Sequence, residues 1–236
     1  MGNVYTTVVN DPDELNPLVK VLYTAAIKEI KSKGITPLTV ETYRSKKRQY
    51  YLYCQGRTAS VAINAGVPSS IANKYCPTLK NKSKVTWTLN SIHIERKAVD
   101  IIAQRLVKGK KTAIWDSTDS ENKKIVKIMT KYGFEAGANW KTNPDSPHFQ
   151  IKGNFASTFK KGYTNSYITK MIQKALNNVK VDSKGTPLLK TKLVEDGDWG
   201  DKTTKAVNAF RKFKKYSNTS SGVLGKTALK ALIAYL

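Results

Sequence analysis

Residues 14–34 (ELNPLVKVLYTAAIKEIKSKG) carry apolar side chains at helical spacing and stop at Gly34, which predicts an amphipathic helix with a glycine C-terminal stop. ITPLTVETYRS then predicts a strand running into a turn, and KKRQYYLYCQG a second helix ending at Gly56. From Arg57 to Thr88 the periodicity weakens, broken by Gly66, Pro68 and Pro77, as expected of a long, partly helical insertion near a functional surface. SIHIERKAVDIIAQ flanks His93 and Asp100 with β-branched residues and predicts paired strands joined by a turn near Glu95–Lys97. TDSENKKIVKIMTKYGF predicts a helix from Ser120 to Tyr132 closed by Gly133, and NWKTNPDSPHFQIKG a loop followed by a final strand. Helices and strands without regular βαβ alternation indicate an α+β domain with a small antiparallel sheet and flanking helices.

After Gly153 the pattern changes. NFASTFKKGYTNS is polar and suits a linker; SYITKMIQKALNNV, DKTTKAVNAFRKFKKY and GKTALKALIAYL are three short amphipathic helices. Two of these helices open on a glycine followed by a basic-threonine start, Gly200-Asp201-Lys202-Thr203 and Gly225-Lys226-Thr227. The expected organisation is an α+β domain over 1–153, a linker over 154–164 and an all-α three-helix domain over 165–236.

Charge adds a partner class. Among 236 residues, 41 Lys and Arg face 17 acidic residues, a formal net charge of +24 that calls for a polyanionic partner. Nucleic acid and a bacterial wall carrying phosphate polymers both satisfy it, and the basic residues are spread along the chain without a tail. Cys54 and Cys76 make no disulfide framework, so a reducing compartment is expected. The opening MGNVYTTVVNDPDELNP lacks the basic stretch and apolar core of a secretion signal, and no run approaches the roughly 18 apolar residues of a membrane span. Met1-Gly2 with Thr6 fits the loose myristoylation pattern, but a second membrane signal is missing. The sequons at Asn81 and Asn218 carry little meaning without secretion.

The two histidines, His93 and His148, each stand close to carboxylates. A hydrolytic zinc usually takes three protein ligands from His, Asp or Glu and keeps a fourth position for water. Two histidines and one aspartate would supply that set, with one carboxylate left as a base. Asp145 precedes His148 by three residues, and Pro147 stiffens the approach. The competing reading is that each imidazole is a hydrogen-bonded core or surface residue on a strand.

Ser91-x-His93, Ala98-x-Asp100 and Asp145-x-Pro147-His148-Phe149 together resemble the zinc D-Ala-D-Ala and L-Ala-D-Glu peptidase family, which includes VanY-type carboxypeptidases and many phage endolysins. Tyr43-Arg44-Ser45, Gln49 and Leu52 to Thr58 are similar to its N-terminal motif, so the resemblance spans roughly residues 35–152. It implies that 1–153 is a zinc peptidase domain with His93, Asp100 and His148 as zinc ligands and Asp145 as general base. It also implies that Arg44 and Ser91 bind the substrate or its transition state. Arg96 departs from the pattern, standing where the family usually has glycine, at a turn whose positive φ would strain it. Glu95 is a rival base, although its place on the expected turn is explained by solvation. Trp87, Trp115 and Trp140 are expected in the core or in a cleft wall. Cys54 is unattractive as a nucleophile, because two zinc-bound imidazoles leave none to activate it.

Val194 to Phe210 (VEDGDWGDKTTKAVNAF) resembles the peptidoglycan-binding domain found on many wall hydrolases. Its glycines suit a tight turn, and Ala206, Val207 and Phe210 are expected in the core. A calcium loop is excluded because position twelve, counted from Asp196, is Val207 rather than Glu. The joint expectation is a phage-type endolysin, a zinc L-alanyl-D-glutamate endopeptidase, with D-alanyl-D-alanine carboxypeptidase as the alternative cut. Such an enzyme would stay in the host cytoplasm until released and then meet peptidoglycan and anionic wall polymers. A non-catalytic, basic wall- or DNA-binding protein also fits the charge, but no zinc finger, recognition helix or aromatic-basic stacking motif supports nucleic acid.

Overall fold

The computed structural model describes residues 3–151 and 158–236; Met1 and Gly2, with the myristoylation pattern they open, lie outside the described residues. Helix α1 (Pro17–Ser32) starts where Asn16 accepts a hydrogen bond from the Leu18 amide and stops before Gly34, whose φ is +76°. Its buried stripe of Leu18, Val19, Leu22, Ala26 and Ile30 lies within the main core. The strands are β1 (Pro37–Glu41), β2 (Ala98–Val107), β3 (Lys110–Ile114), β4 (Glu135–Ala136) and β5 (His148–Gln150). They form one antiparallel sheet in the order β1-β2-β5-β4, with β3 also on β2.

Register is what this sheet contributes to function. Glu41 is the partner of Asp100, and Asp100 is the partner of His148, so three polar side chains stand in a row across β1, β2 and β5. A bulge between Thr39 and Glu41 brings the end of β1 into that row. Directly opposed residues in antiparallel strands share a face.

The weakly patterned insertion folds as helices. α2 (Lys46–Cys54), α3 (Ala59–Asn64) and α4 (Ser69–Leu79) enclose a small core of their own: Cys54, Ala62, Val67, Ile71, Ala72, Cys76 and Leu79. Both thiols there are free, and burial pushes that of Cys54 up to about 12, so it is a poor nucleophile. α5 (Ser120–Lys131), capped by Asp119, packs Ile125, Ile128 and Met129 into the main core.

The later segment holds α6 (Ser166–Asn178), α7 (Asp201–Phe213) and α8 (Lys226–Leu232), with α7 and α8 starting after the glycines picked out above. Buried Gln173 on α6 ties down the Asp-Gly-Asp turn, donating to Asp196 Oδ1 and Asp198 O and accepting from the Gly197 amide. A Cβ at Gly197, where φ is +85°, would lie 2.5 Å from Ser166 O, so this glycine is structural. Ala206, Val207 and Phe210 are buried as expected.

The described part of the polar stretch before α6 includes a short strand. Residues 154–157 lie outside the described ones, but Thr158–Phe159 (β6) pairs with Leu224–Gly225 (β7), and Phe159 is buried. The helices therefore come with a short ladder. Phe159, the second phenylalanine of that stretch, is its anchor in the core. One continuous buried cluster runs from α1, β2 and α5 through Phe159 into α6, α7 and α8. Along α1 and α6 it leaves a groove of about 1050 Å³, which contains none of the sequence-predicted site residues.

Candidate active site and metal centre

His93 is on a 3-10 turn, Ile92–Glu95, rather than on the expected strand. Ser91 caps that turn, its Oγ accepting from the His93 amide, and Arg96 closes it in the left-handed region at φ +61°. The turn wins over strand pairing because both of its ends are satisfied locally, and β2 begins only at Ala98. Arg96 adopts the positive φ that glycine would take freely. Its guanidinium stacks over Tyr43 at 4.1 Å, pairs with Glu14, and bonds the Glu14 carbonyl at 2.8 Å, contacts that offset the backbone cost.

Three donor atoms converge at the head of the strand row. His93 Nε2 lies 3.0 Å from Asp100 Oδ1 and 3.2 Å from His148 Nδ1, and His148 Nδ1 lies 3.1 Å from the same carboxylate oxygen. Among the described residues these three form the group able to hold a metal ion. All are buried. Two imidazole nitrogens and a carboxylate oxygen pointing at one another suit a cation. A tetrahedral zinc with bonds of about 2.0–2.1 Å separates its ligand atoms by roughly 3.3 Å, close to this spacing. The donor set fits.

Electrostatics point the same way. Burial alone would push the Asp100 carboxyl up, but His93 and His148 outweigh it and hold it far below the usual carboxylate range. Burial would lower His148, yet its hydrogen bond to Asp100 leaves it raised. Asp145 is raised by burial and then by the Asp100 charge, against the opposing pull of His148, Arg44 and His93.

The supporting shell of His148 was not visible in the sequence. Gln150, two residues on in β5, offers Oε1 at 3.1 Å to His148 Nε2, which places the proton there and leaves Nδ1 for the metal. Gln150 donates in turn to Glu135 Oε2 at 3.0 Å, and Trp140 Nε1 donates to Glu135 Oε1 at 3.1 Å. The Trp140 ring packs 5.2 Å from that of His148. His93 Nδ1, by contrast, is buried with no hydrogen-bond partner among the described residues. Gly137 is a second addition: a Cβ there would lie 2.4 Å from Asp145 O and 3.1 Å from His148 Cβ, so only glycine lets this backbone pass behind the Asp145–His148 loop.

Around the donors runs a cleft of about 390 Å³ whose lining includes Arg44, Ser91, Trp140, Asp145 and all three donor residues. Arg44 is aimed by Glu41 Oε2 (2.9 Å from Nε) and Gln49 Oε1 (3.1 Å), and its Nη2 stands 3.6 Å from Asp100 Oδ2. Glu95 is half-exposed, pairs with Lys97 at 2.7 Å and does not line the cleft. Trp87 and Trp140 line it; Trp115 does neither of the things expected of it, being 61% exposed and away from the cleft, beyond the end of β3.

The family model described as D-alanyl-D-alanine carboxypeptidase matches residues 84–151, which contain all three donors and Asp145. Over 152 residues the chain is 30% identical to the peptidoglycan L-alanyl-D-glutamate endopeptidase CwlK of Bacillus subtilis, covering 61% of this chain and 77% of that protein. The chain belongs to this family of zinc peptidases. It is also 30% identical over 142 residues to the L-alanyl-D-glutamate peptidase of Listeria phage A118, covering 59% of this chain and 39% of the phage protein. Among solved structures, the Serratia marcescens L-Ala D-Glu endopeptidase ChiX aligns with a TM-score of 0.37 at 20% identity, over 60% of this chain and 83% of the other. No helix among the described residues is long and apolar enough to cross a membrane.

Proposed function

We propose that this peptidase is a phage-type endolysin that cuts the bond between L-alanine and D-glutamate in peptidoglycan stem peptides. The observation that carries the reading is the convergence of His93, Asp100 and His148, 3.0–3.2 Å apart, in a cleft shared with Asp145 and Arg44. The relatives from Bacillus subtilis and Listeria phage A118 carry L-alanyl-D-glutamate peptidase names, which favours this bond.

In this reading His93, Asp100 and His148 hold zinc. When bound, zinc supplies Lewis-acid polarisation of a carbonyl and brings the pKa of water toward about 7. Asp145, raised by burial, takes the proton from the attacking water and delivers it to the leaving amine. Arg44, fixed by Glu41 and Gln49, holds a substrate carboxylate or the developing oxyanion. Ser91 contributes a hydroxyl at the cleft while capping the turn that carries His93.

Residues 1–153 then form the catalytic domain, 154–164 the connection and 165–236 a wall-binding module. A module holding the enzyme on an insoluble wall raises its local concentration without new contacts at the site. The net charge of +24 suits anionic wall polymers. The place of action is the wall, reached after synthesis and release from the host cytoplasm.

The description of the matching family model supports a second cut, release of terminal D-alanine. Mass spectrometry of fragments from purified walls distinguishes the two. Peptides beginning with D-glutamate are expected; free D-alanine alone would replace the endopeptidase with a carboxypeptidase, and no chelator-sensitive product would defeat both.

A further inference from the structure

The segment leading into the site turns its side chains the opposite way from a folding surface. Thr86 is buried, while its neighbours Val85 and Trp87 are 50% and 57% exposed. A loop that buries a single position ordinarily gives that place to an apolar residue. Here the inward position is held by polar contacts. Gln49 Nε2 donates to Thr86 Oγ1 at 3.0 Å and Thr88 O at 2.6 Å, and Arg57 donates to Thr86 O at 2.8 Å. Lys46 then holds the Leu89 carbonyl at 2.8 Å. An indole on a fixed backbone, open to water and lining the same cleft as His93 and Asp145, does nothing for the core. Its place in the cleft, which the equally exposed Trp115 lacks, presents a preformed apolar face beside the donors.

The chemistry of the substrate narrows what it binds. This inference rests on the peptidase reading above. Beside the bond between alanine and glutamate stand a methyl group and a carboxylate, and neither covers an indole face. The group with a broad face of C–H bonds is the sugar from which the stem peptide hangs. We propose that Trp87, flanked by Val85, forms a saccharide subsite that packs on this sugar ring and directs the enzyme to glycan-linked rather than free stem peptides.

Two measurements test it. The zinc-loaded full chain is assayed on a free stem tetrapeptide and on the same peptide carried by its disaccharide. Trp87→Ala should lower kcat/KM on the glycan-linked substrate about tenfold, mainly through KM, and by clearly less on the free peptide, whereas Trp87→Phe should keep most of the preference. Equal losses on both substrates, or none on either, would overturn the subsite. Independently of hydrolysis, the peptide-free disaccharide should shift the Trp87 indole N–H resonance saturably in the wild-type protein. Absence of that shift also overturns it. A wild-type protein that shows the shift yet cuts neither substrate would instead defeat the proposed cleavage and leave the subsite standing.

Discussion

Asp100 and His148 face each other as paired residues of adjacent strands, and their side chains meet at 3.1 Å. The sheet register therefore sets two of the three donors, the 3-10 turn before β2 supplies His93, and Gln150 holds the far nitrogen of His148. Gln150→Leu should keep the fold and the three donors but weaken zinc affinity by about 10–100-fold. Competition against a chromogenic chelator measures this; unchanged affinity would mean that Gln150 does not orient the imidazole.

Asp145 shares the cleft with the donors but is not one of the three. Asp145→Asn should cut turnover on walls by about 10²–10⁴-fold while zinc content and wall sedimentation stay at wild-type levels. A variant that remains fully lytic would remove Asp145 from the role of base.

Gly137 passes so close to Asp145 and His148 that a methyl group must move one of them. Gly137→Ala should destabilise the protein by about 1–3 kcal/mol in urea unfolding and weaken zinc binding with it. A neutral result would show that the loop carrying Asp145 yields without consequence.

The parts of this site that were legible in the sequence are those encoded by short spacing. Asp145 lies on the short loop that leads into His148 at the start of β5, Ala98–Asp100 begins β2, and the helices α1, α5, α6 and α7 announce themselves through periodicity and their start signals. The parts that were not legible depend on distant partners. β-Branched neighbours suggested a strand at His93, but Ser91 and Arg96 close a 3-10 turn there, and that preference lies in backbone hydrogen bonds rather than in hydropathy. Gln150 and Gly137 gained their importance only when β4 paired with β5, bringing Glu135 beside Gln150. The helical insertion gave a weak pattern because its six- and eleven-residue helices close on a small separate core. Trp87 was expected in the core or in a cleft wall; it lines the cleft, and the pinning of Thr86, which no hydropathy pattern shows, accounts for the indole facing water.

Asp119 caps α5 and pairs with Arg105 at 2.5 Å, and that hydrogen bond leads the causes that hold its carboxyl below the usual range. A depressed folded pKa gives stability that is present above the unfolded value, about 3.9, and is lost as pH falls through the folded one. Asp119→Asn keeps a side-chain acceptor for the cap but not the charge. Urea midpoints should show wild type above the variant near pH 6, with the gap closing below about pH 3.9. A gap independent of pH would assign the effect to the cap alone.

The proposed function requires one ion held by three side chains. Elemental analysis after exhaustive dialysis of the refolded, zinc-supplied protein tests this most directly, with circular dichroism confirming the fold. One zinc per chain is predicted for the wild type, and loss of that zinc in His93→Ala, Asp100→Ala and His148→Ala alike. Full zinc retention in any of these variants, or none in the wild type, would contradict it.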